Sequence, residues 1–475
     1  MGNGHCRTQF RISFRTYRKV CFMSKQTTAT AEKGGFGSKL GFILAAAGSA
    51  VGLGNIWRFP YLAAKYGGGI FLLVYLILTV TFGFALMTTE IGIGRKTGKS
   101  VIGAYSSINK YFAPLGWLAA AVPVIILPYY CVIGGWVLKY MVAFLTGGGT
   151  AAAGDGSYFT SFIGHAGQPT LFFCIFVALS ALVVMLGVDK GIERVSKIMM
   201  PVLFVLIVGI GIYTLTLPGA IDGLIYYVKP DFSAFSIKTV IAAMGQMFYS
   251  MSLAMGIMIT YGSYMRKEDH LEGSVRNIEI FDTAVAVLAG MIIVPSVFVF
   301  SGGDASALNA GPSLMFITLP NVFESMVGGQ IVGAAFFILV ALAALTSSIS
   351  LMETVVSIIV EKIKVKRIPA CLIVIAVTLL VGMLSVLGYS NWSEVRIFKM
   401  QFLDFFDFVS NNIMMPIVAL LTCILIGFIA KTKYIEDEVE LNGKFKSKAL
   451  YRIMVKYICP ICMLVILFSS LFMSL

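Results

Sequence analysis

Gly48-Ser49-Ala50-Val51-Gly52-Leu53-Gly54-Asn55-Ile56-Trp57-Arg58-Phe59-Pro60 sits inside an apolar run spanning residues 40–66. A helix crossing a bilayer core needs about 20 apolar residues, and the run is long enough. Yet Gly48, Gly52 and Gly54 fall within seven residues, each costing about 1 kcal/mol in a helix. The segment is therefore expected to unwind in mid-membrane. Unsatisfied backbone in hydrocarbon costs several kcal/mol per group, so it is tolerated only where it lines a cavity. Freed carbonyls there can coordinate a cation or an ammonium, and the N–H groups that open the second half-helix can hold a carboxylate. Glycine alone would equally suit close helix packing through small residues. The added Asn55 and Arg58 favour a binding site.

A second run, 236–264, carries a similar polar interruption at Gly245-Gln246-Met247-Phe248-Tyr249-Ser250-Met251-Ser252-Leu253-Ala254-Met255-Gly256. It has fewer glycines, but Ser250 and Ser252 lie at its centre. Working outward, further apolar runs fall near 69–93, 114–144, 169–186, 195–216, 277–301, 330–360, 368–388, 402–430 and 451–474. The expectation is an all-α polytopic membrane protein with eleven transmembrane helices. Its interrupted helices are the first and the sixth, as an inverted 5+5 repeat requires (residues 40–216 and 236–430, with an extra helix at 451–474). Composition agrees. The 475 residues are 58% hydrophobic and 12% charged, with a mean hydropathy of +0.89. A soluble chain carries about 25% charged residues, so a soluble enzyme is excluded. Strands of a membrane barrel would alternate apolar and polar residues, which these runs do not.

Orientation follows from the basic residues. With the N-terminus in the cytoplasm, the inside segments hold 28 Lys and Arg and the outside loops five: Lys65, Lys229, Lys238, Arg396 and Lys399. This asymmetry predicts a multi-pass protein of the cell (inner) membrane, with a cytoplasmic N-terminus and, for eleven spans, an extracellular or periplasmic C-terminus. The net charge of +13 is thus a topological signal and no nucleic-acid footprint. Residues 1–36 read as a basic cytoplasmic tail and 37–475 as the membrane domain. The first 22 residues carry Arg7, Arg11, Arg15, Arg18 and Lys19 without an acid. They fit a membrane-surface tail or, the reading we favour, sequence upstream of a start at Met23. Of eight cysteines, six lie in apolar runs and none in an outside loop, so no disulfide framework is expected. The histidines are too scattered for a metal site.

The run from Leu40 to Phe71, with its Gly-rich break, Trp57-Arg58-Phe59-Pro60 and Gly67-Gly68-Gly69, resembles the neurotransmitter:sodium symporter family, bacterial amino-acid transporter branch. The likeness continues through Glu90-Ile-Gly-Ile-Gly-Arg95, Tyr129-Tyr130, Ile259-Thr260-Tyr261 and Leu345-Thr346-Ser347-Ser348. It implies two sodium sites. One would use Ala50, Asn55, Ser250 and Asp282 together with the substrate carboxylate. The other would use Gly48, Val51, Ala343, Thr346 and Ser347. For the substrate it implies a pocket of Ser49, Ala50, Leu53, Gly54, Ile126, Tyr130, Tyr249, Ser250, Ser252, Met255, Ser347 and Leu351. The carboxylate would meet the Leu53 and Gly54 N–H groups and the Tyr130 hydroxyl. Arg58 with Asp407 would form an outer gate, Asp404 standing one turn away as a fallback. Lys33 with Glu361, helped by Phe36 and Tyr264, would form an inner one.

Some positions depart from the family pattern. Lys33 and Phe36 stand where the family usually has Arg and Trp, and Lys cannot make a bidentate pair. Ser49 and Met255 replace the Asn and Phe of leucine-transporting members. Asp282 replaces the neutral amide of animal members, which bind chloride nearby, and would make chloride unnecessary. The functional expectation is sodium-coupled, chloride-independent uptake of a neutral L-amino acid, hydrophobic or aromatic, by alternating access. A proton-coupled or exchange-type carrier of the same fold is the alternative. A membrane enzyme is disfavoured because no nucleophile–base or metal constellation is present.

Overall fold

The computed structural model describes residues 34–154, 156–301 and 312–473. Residues 1–33 of the basic tail, with Met23 and the gate position Lys33, lie outside them. In chain order the principal helices are α1 (Lys39–Ala50), α2 (Gly54–Lys65), α3 (Gly69–Thr97), α4 (Lys110–Leu145), α5 (Gly167–Met185) and α6 (Val188–Leu215). There follow α7 (Ile237–Ser250), α8 (Ile257–Gly262), α9 (Leu271–Phe300), α10 (Gly329–Ile363), α11 (Arg367–Tyr389), α12 (Phe402–Ile429) and α13 (Lys448–Ser470). Among the described residues nine helices are long and apolar enough to cross a membrane, and a tenth span results if α1 and α2 are one. Those two are bent by 56° across the break. The run 236–264 is divided into α7 and α8, neither of which is long enough to span alone.

Several helices outrun their apolar windows. The expected span 195–216 is part of a helix that begins at Val188 and takes in Asp189, Lys190, Glu193 and Arg194. The span expected at 277–301 begins at Leu271, with Glu272 and Arg276 in its first turns. Hydropathy records only the part of a helix in hydrocarbon, whereas i→i−4 hydrogen bonding continues into water.

Local chemistry sets the ends. The Ser38 hydroxyl accepts the Gly41 N–H (3.0 Å) and so caps α1. It also donates to Glu193 (2.7 Å), which receives the Gly37 N–H (2.6 Å) and Lys197 Nζ (2.6 Å). The entry of α1 is thereby tied to α6. Ser236 caps α7 through the Thr239 N–H (3.2 Å), and α9 starts on His270, whose ring nitrogen takes the Gly273 N–H (3.0 Å).

Small residues let the backbones approach, as membrane helices require where lipid removes any hydrophobic drive to associate. A Cβ at Gly262 of α8 would lie 2.5 Å from the Ile91 carbonyl oxygen and 2.9 Å from its Cα on α3. Gly68, at φ +57°, makes the turn between α2 and α3 against the backbone of Pro230. Between α9 and α10, Phe316 packs on Trp57, Trp136, Tyr140 and Phe159 with centroids 5.0–6.4 Å apart. The Tyr140 hydroxyl donates to its carbonyl (2.7 Å).

Candidate functional site

The break between α1 and α2 faces the break between α7 and α8 across a cavity. Ser49, Ala50, Leu53, Gly54, Ile126, Tyr130, Tyr249, Ser250, Ser252, Met255, Ser347 and Leu351 all stand on its wall, completed by Gly52, Asn55 and Ile257. Ile126 and Tyr130 come from one face of α4, and Ser347 and Leu351 from one face of α10, in each case four residues apart. The α7–α8 connection turns through left-handed backbone at Ser252 (φ +52°), Ala254 (φ +59°) and Gly256 (φ +73°). For a residue with a Cβ this conformation costs about 1–2 kcal/mol, and neighbours hold it. The Ala254 N–H donates to the buried Glu90 of α3 (2.7 Å). The Ser252 hydroxyl donates to the Ser49 carbonyl (2.9 Å), joining the two breaks. Gln246 Nε2 donates to the Gly54 carbonyl (3.0 Å), and the Leu53 N–H points to the Tyr130 hydroxyl (3.4 Å).

Two groups of oxygens flank the cavity. Fully buried Asp282 of α9 accepts Asn55 Nδ2 (2.8 Å), the Ser250 hydroxyl (3.1 and 3.2 Å) and the Tyr75 hydroxyl (3.5 Å). The Asn55 amide oxygen accepts the Gly52 N–H (3.1 Å), so it is the amide nitrogen that faces Asp282. On the other side the Ser347 hydroxyl lies 3.5 Å from the Gly48 carbonyl, 3.1 Å from that of Ser49 and 3.2 Å from that of Val51. Thr346 donates to the carbonyls of Leu342 (3.1 Å) and Ala343 (3.0 Å). Apart from the Asn55 amide nitrogen, these sets present hard oxygens without thiol or imidazole. They suit an alkali or alkaline-earth cation and no transition metal. Among the described residues no cluster of His, Cys, Asp and Glu could hold a metal ion.

Above the cavity, the Arg58 guanidinium lies over the Tyr249 ring, 5.2 Å from its centroid. Asp407 of α12 accepts the Tyr129 hydroxyl (3.1 Å) and Asn411 Nδ2 (2.6 Å) through one oxygen. Asp404 stands exposed one turn earlier. Among the described residues neither acid forms an ion pair with Arg58. On the opposite side, Glu361 accepts the Ser100 N–H (2.5 Å). Phe36 bonds the Tyr264 carbonyl (3.1 Å) and sets its ring edge-on to Tyr261 and Tyr264.

Beneath Ser350, whose hydroxyl meets that of Ser49 (2.7 Å), lies a cluster to which the sequence pointed only in part. Glu353 of α10 is fully buried. It accepts the Tyr264 hydroxyl (2.7 Å) and both terminal nitrogens of Arg367, one of them at 3.2 Å. Arg367 also holds the Val184 carbonyl at the end of α5 (2.7 Å). An acid inside an apolar run is a functional signal in itself, but its partner on another helix is not. Glu90, Gln246 and Tyr75 were likewise assigned no role from the sequence.

The chain resembles known proteins over most of its length. A chain from Bacillus subtilis named as uncharacterized sodium-dependent transporter YhdH is 36% identical over 90% of this chain and 96% of its own length. One from Haemophilus influenzae, described as an uncharacterized sodium-dependent transporter, is 34% identical over 94% and 100%. The crystal structure of MhsT in complex with L-phenylalanine superposes with a TM-score of 0.83 at 37% identity, covering 92% of this chain and 99% of that one. The sodium:neurotransmitter symporter model matches residues 33–152 and 155–474. By that match and by the length of these alignments, the chain is a multi-pass membrane transporter and no enzyme, and it belongs to the sodium:neurotransmitter symporter family.

Proposed function

We propose that this protein couples the inward flow of sodium to uptake of a neutral L-amino acid with a large hydrophobic or aromatic side chain, without chloride. The observation that carries the reading is the placing of Asp282 with Asn55 and Ser250 at the wall of a cavity between two interrupted helices. A substrate carboxylate resting on the Leu53 and Gly54 N–H groups would lie beside a cation held by Ala50, Asn55, Ser250 and Asp282, once the Asn55 amide turns its oxygen from the Gly52 N–H toward it. Each then favours binding of the other. A second sodium at Gly48, Val51, Ala343, Thr346 and Ser347 would join α1 to α10 once the hydroxyl hydrogens turn from those carbonyls. Each positive charge entering gains about 2.3 kcal/mol per 100 mV of membrane potential.

On this reading α1–α2 and α7–α8 are spans one and six of eleven, arranged as a 5+5 inverted repeat in the inner membrane. The substrate is reached from outside past Arg58 and Asp407 and released inside past Glu361, its partner Lys33, Phe36 and Tyr264. The basic asymmetry supports a C-terminus on the outside. A reporter enzyme joined to Leu475 should be active only if it works outside the cytoplasm, and cytoplasmic activity would refute the span count.

Selectivity falls to Ile126, Tyr249, Met255 and Leu351, none of them charged. An acidic or basic side chain would bury an unpaired charge there, at several kcal/mol or more. Met255 is unbranched and yields space to a large side chain. The likeness to MhsT bound to L-phenylalanine supports an aromatic substrate. In a competition assay phenylalanine, tyrosine, tryptophan and leucine should outrank glycine and alanine, and Met255→Phe should shift the order toward smaller aliphatic residues. Strong competition by glutamate or lysine with none from aromatics would overturn the assignment.

A further inference from the structure

Lys448, Arg452 and Lys456 follow one another at four-residue spacing and so form a row along α13. Like charges one turn apart repel, and a row of three needs counter-charge. Glu436, on the helix Lys433–Val439 that follows α12, supplies part of it. It pairs with Arg452 (2.7 Å) and Lys448 (3.4 Å), and Lys448 also reaches Glu440 (2.8 Å). Glu438 is taken by Arg95 (2.8 Å) and Lys267 (2.7 Å). Lys456, third in the row and deepest along the span, has no ion pair among the described residues.

Its place in the fold is fixed by α12. A Cβ at Gly427 would lie 3.5 Å from the Lys456 Cα and 3.6 Å from its Cγ. Both helices widen into π-turns at this level, Leu425–Ile429 in α12 and Met454–Ile458 in α13, an irregularity frequent at functional sites. Lys431 follows Gly427 by four residues, where α12 ends in left-handed backbone (φ +65°). It is exposed and likewise without an ion pair among the described residues. Beyond Lys456, residues 457–473 carry no charge. They make about 25 Å of helix at 1.5 Å per residue, close to the thickness of a hydrocarbon core. The Lys456 ammonium therefore stands at the depth of the lipid headgroups. Beside the seam Phe428, Ile453, Tyr457 and Ile461 are exposed, three apolar side chains and one aromatic of the kind that sits at membrane interfaces.

We propose that the α12–α13 seam is a binding site for an anionic phospholipid, its phosphate between Lys431 and Lys456 and its acyl chains along Phe428, Ile453 and Ile461. The phosphate supplies the counter-charge that the row on α13 lacks, at a level where the neighbouring carboxylates are already paired. A lysine near a helix end can also extend to water, but that use would be indifferent to the headgroup and would not involve Lys431.

Native mass spectrometry of the purified protein, titrated with phosphatidylglycerol or with phosphatidylcholine, separates the two. Phosphatidylglycerol should bind more tightly, because its headgroup carries no cation to oppose the lysines. A juxtamembrane lysine is worth about fivefold in affinity for an anionic lipid. Lys431→Gln and Lys456→Gln should therefore each weaken phosphatidylglycerol binding about fivefold, and the double variant about thirtyfold. Lys456→Arg keeps the charge and should bind as the wild type does. Replacing Lys444 and Lys446 together by Gln removes two exposed lysines of the adjoining loop and should leave binding unchanged. Melting temperatures in lipid-free detergent should be equal for all of these variants. Equal affinity of the wild type for the two lipids, wild-type binding by the Lys431 and Lys456 double variant, or an equal loss from the loop pair would overturn the proposal.

Discussion

Asp282→Asn should abolish sodium-dependent uptake or leave a residue of transport that requires chloride. Asp282 is fully buried, and its carboxylate gathers Asn55, Ser250 and Tyr75 around one point. A cation there would be held by a fixed negative charge and by neutral oxygens. The isosteric amide keeps the shape but removes the charge. Breaking a buried charge pair costs about 3–5 kcal/mol, which is on the order of a hundred- to a thousandfold in apparent sodium affinity. Uptake into proteoliposomes with chloride exchanged for gluconate checks both halves. Wild-type uptake should be indifferent to the exchange, and a fall in wild-type activity would contradict the role given to Asp282.

The second large effect is expected at the opposite end of the pathway. Glu353→Ala leaves the Arg367 guanidinium, only 28% exposed, without its carboxylate and frees Tyr264 from its acceptor. Arg367→Ala leaves the buried Glu353 with the Tyr264 hydroxyl but without its cation. Each single change should lower the melting temperature in detergent markedly, since an uncompensated buried charge costs about 3–5 kcal/mol. The double replacement should recover much of that loss. If transport depends on Tyr264 letting go of Glu353, then Tyr264→Phe should stay folded and shift toward the inward-open form, read as greater labelling of a cysteine placed at Ser350. Equal melting temperatures for the three Glu353 and Arg367 variants would remove the cluster from the account.

How far these features could be read from sequence depends on whether the signal is local. The break at Gly48–Gly54 announces itself, because glycines and an Asn within an apolar run have few other uses. The substrate-pocket residues assigned around it line one cavity. The weaker break at 245–256 was visible only through its serines, and the left-handed turns at Ser252 and Ala254 were not. Neither residue type advertises a positive φ, and what holds the turn is Glu90 on another helix. Helix ends such as Val188 and Leu271 were missed for a different reason, since their first turns carry charged residues that a hydropathy pattern does not count. Glu353 was not singled out from the sequence, and its partner Arg367 is 14 residues away on α11. Side-chain pairing between helices is set by packing register, which apolar periodicity does not encode.

Sodium is expected to drive the transport of an amino acid through this site. The most direct measurement is initial uptake of labelled L-phenylalanine into proteoliposomes holding the purified protein, with an inward sodium gradient and with the same gradient of choline or of protons. Concentrative uptake with sodium alone, enhanced by an interior-negative potential and lost in Asp282→Asn, is the predicted result. Uptake of equal rate and extent in choline, or uptake driven by the proton gradient without sodium, would contradict it.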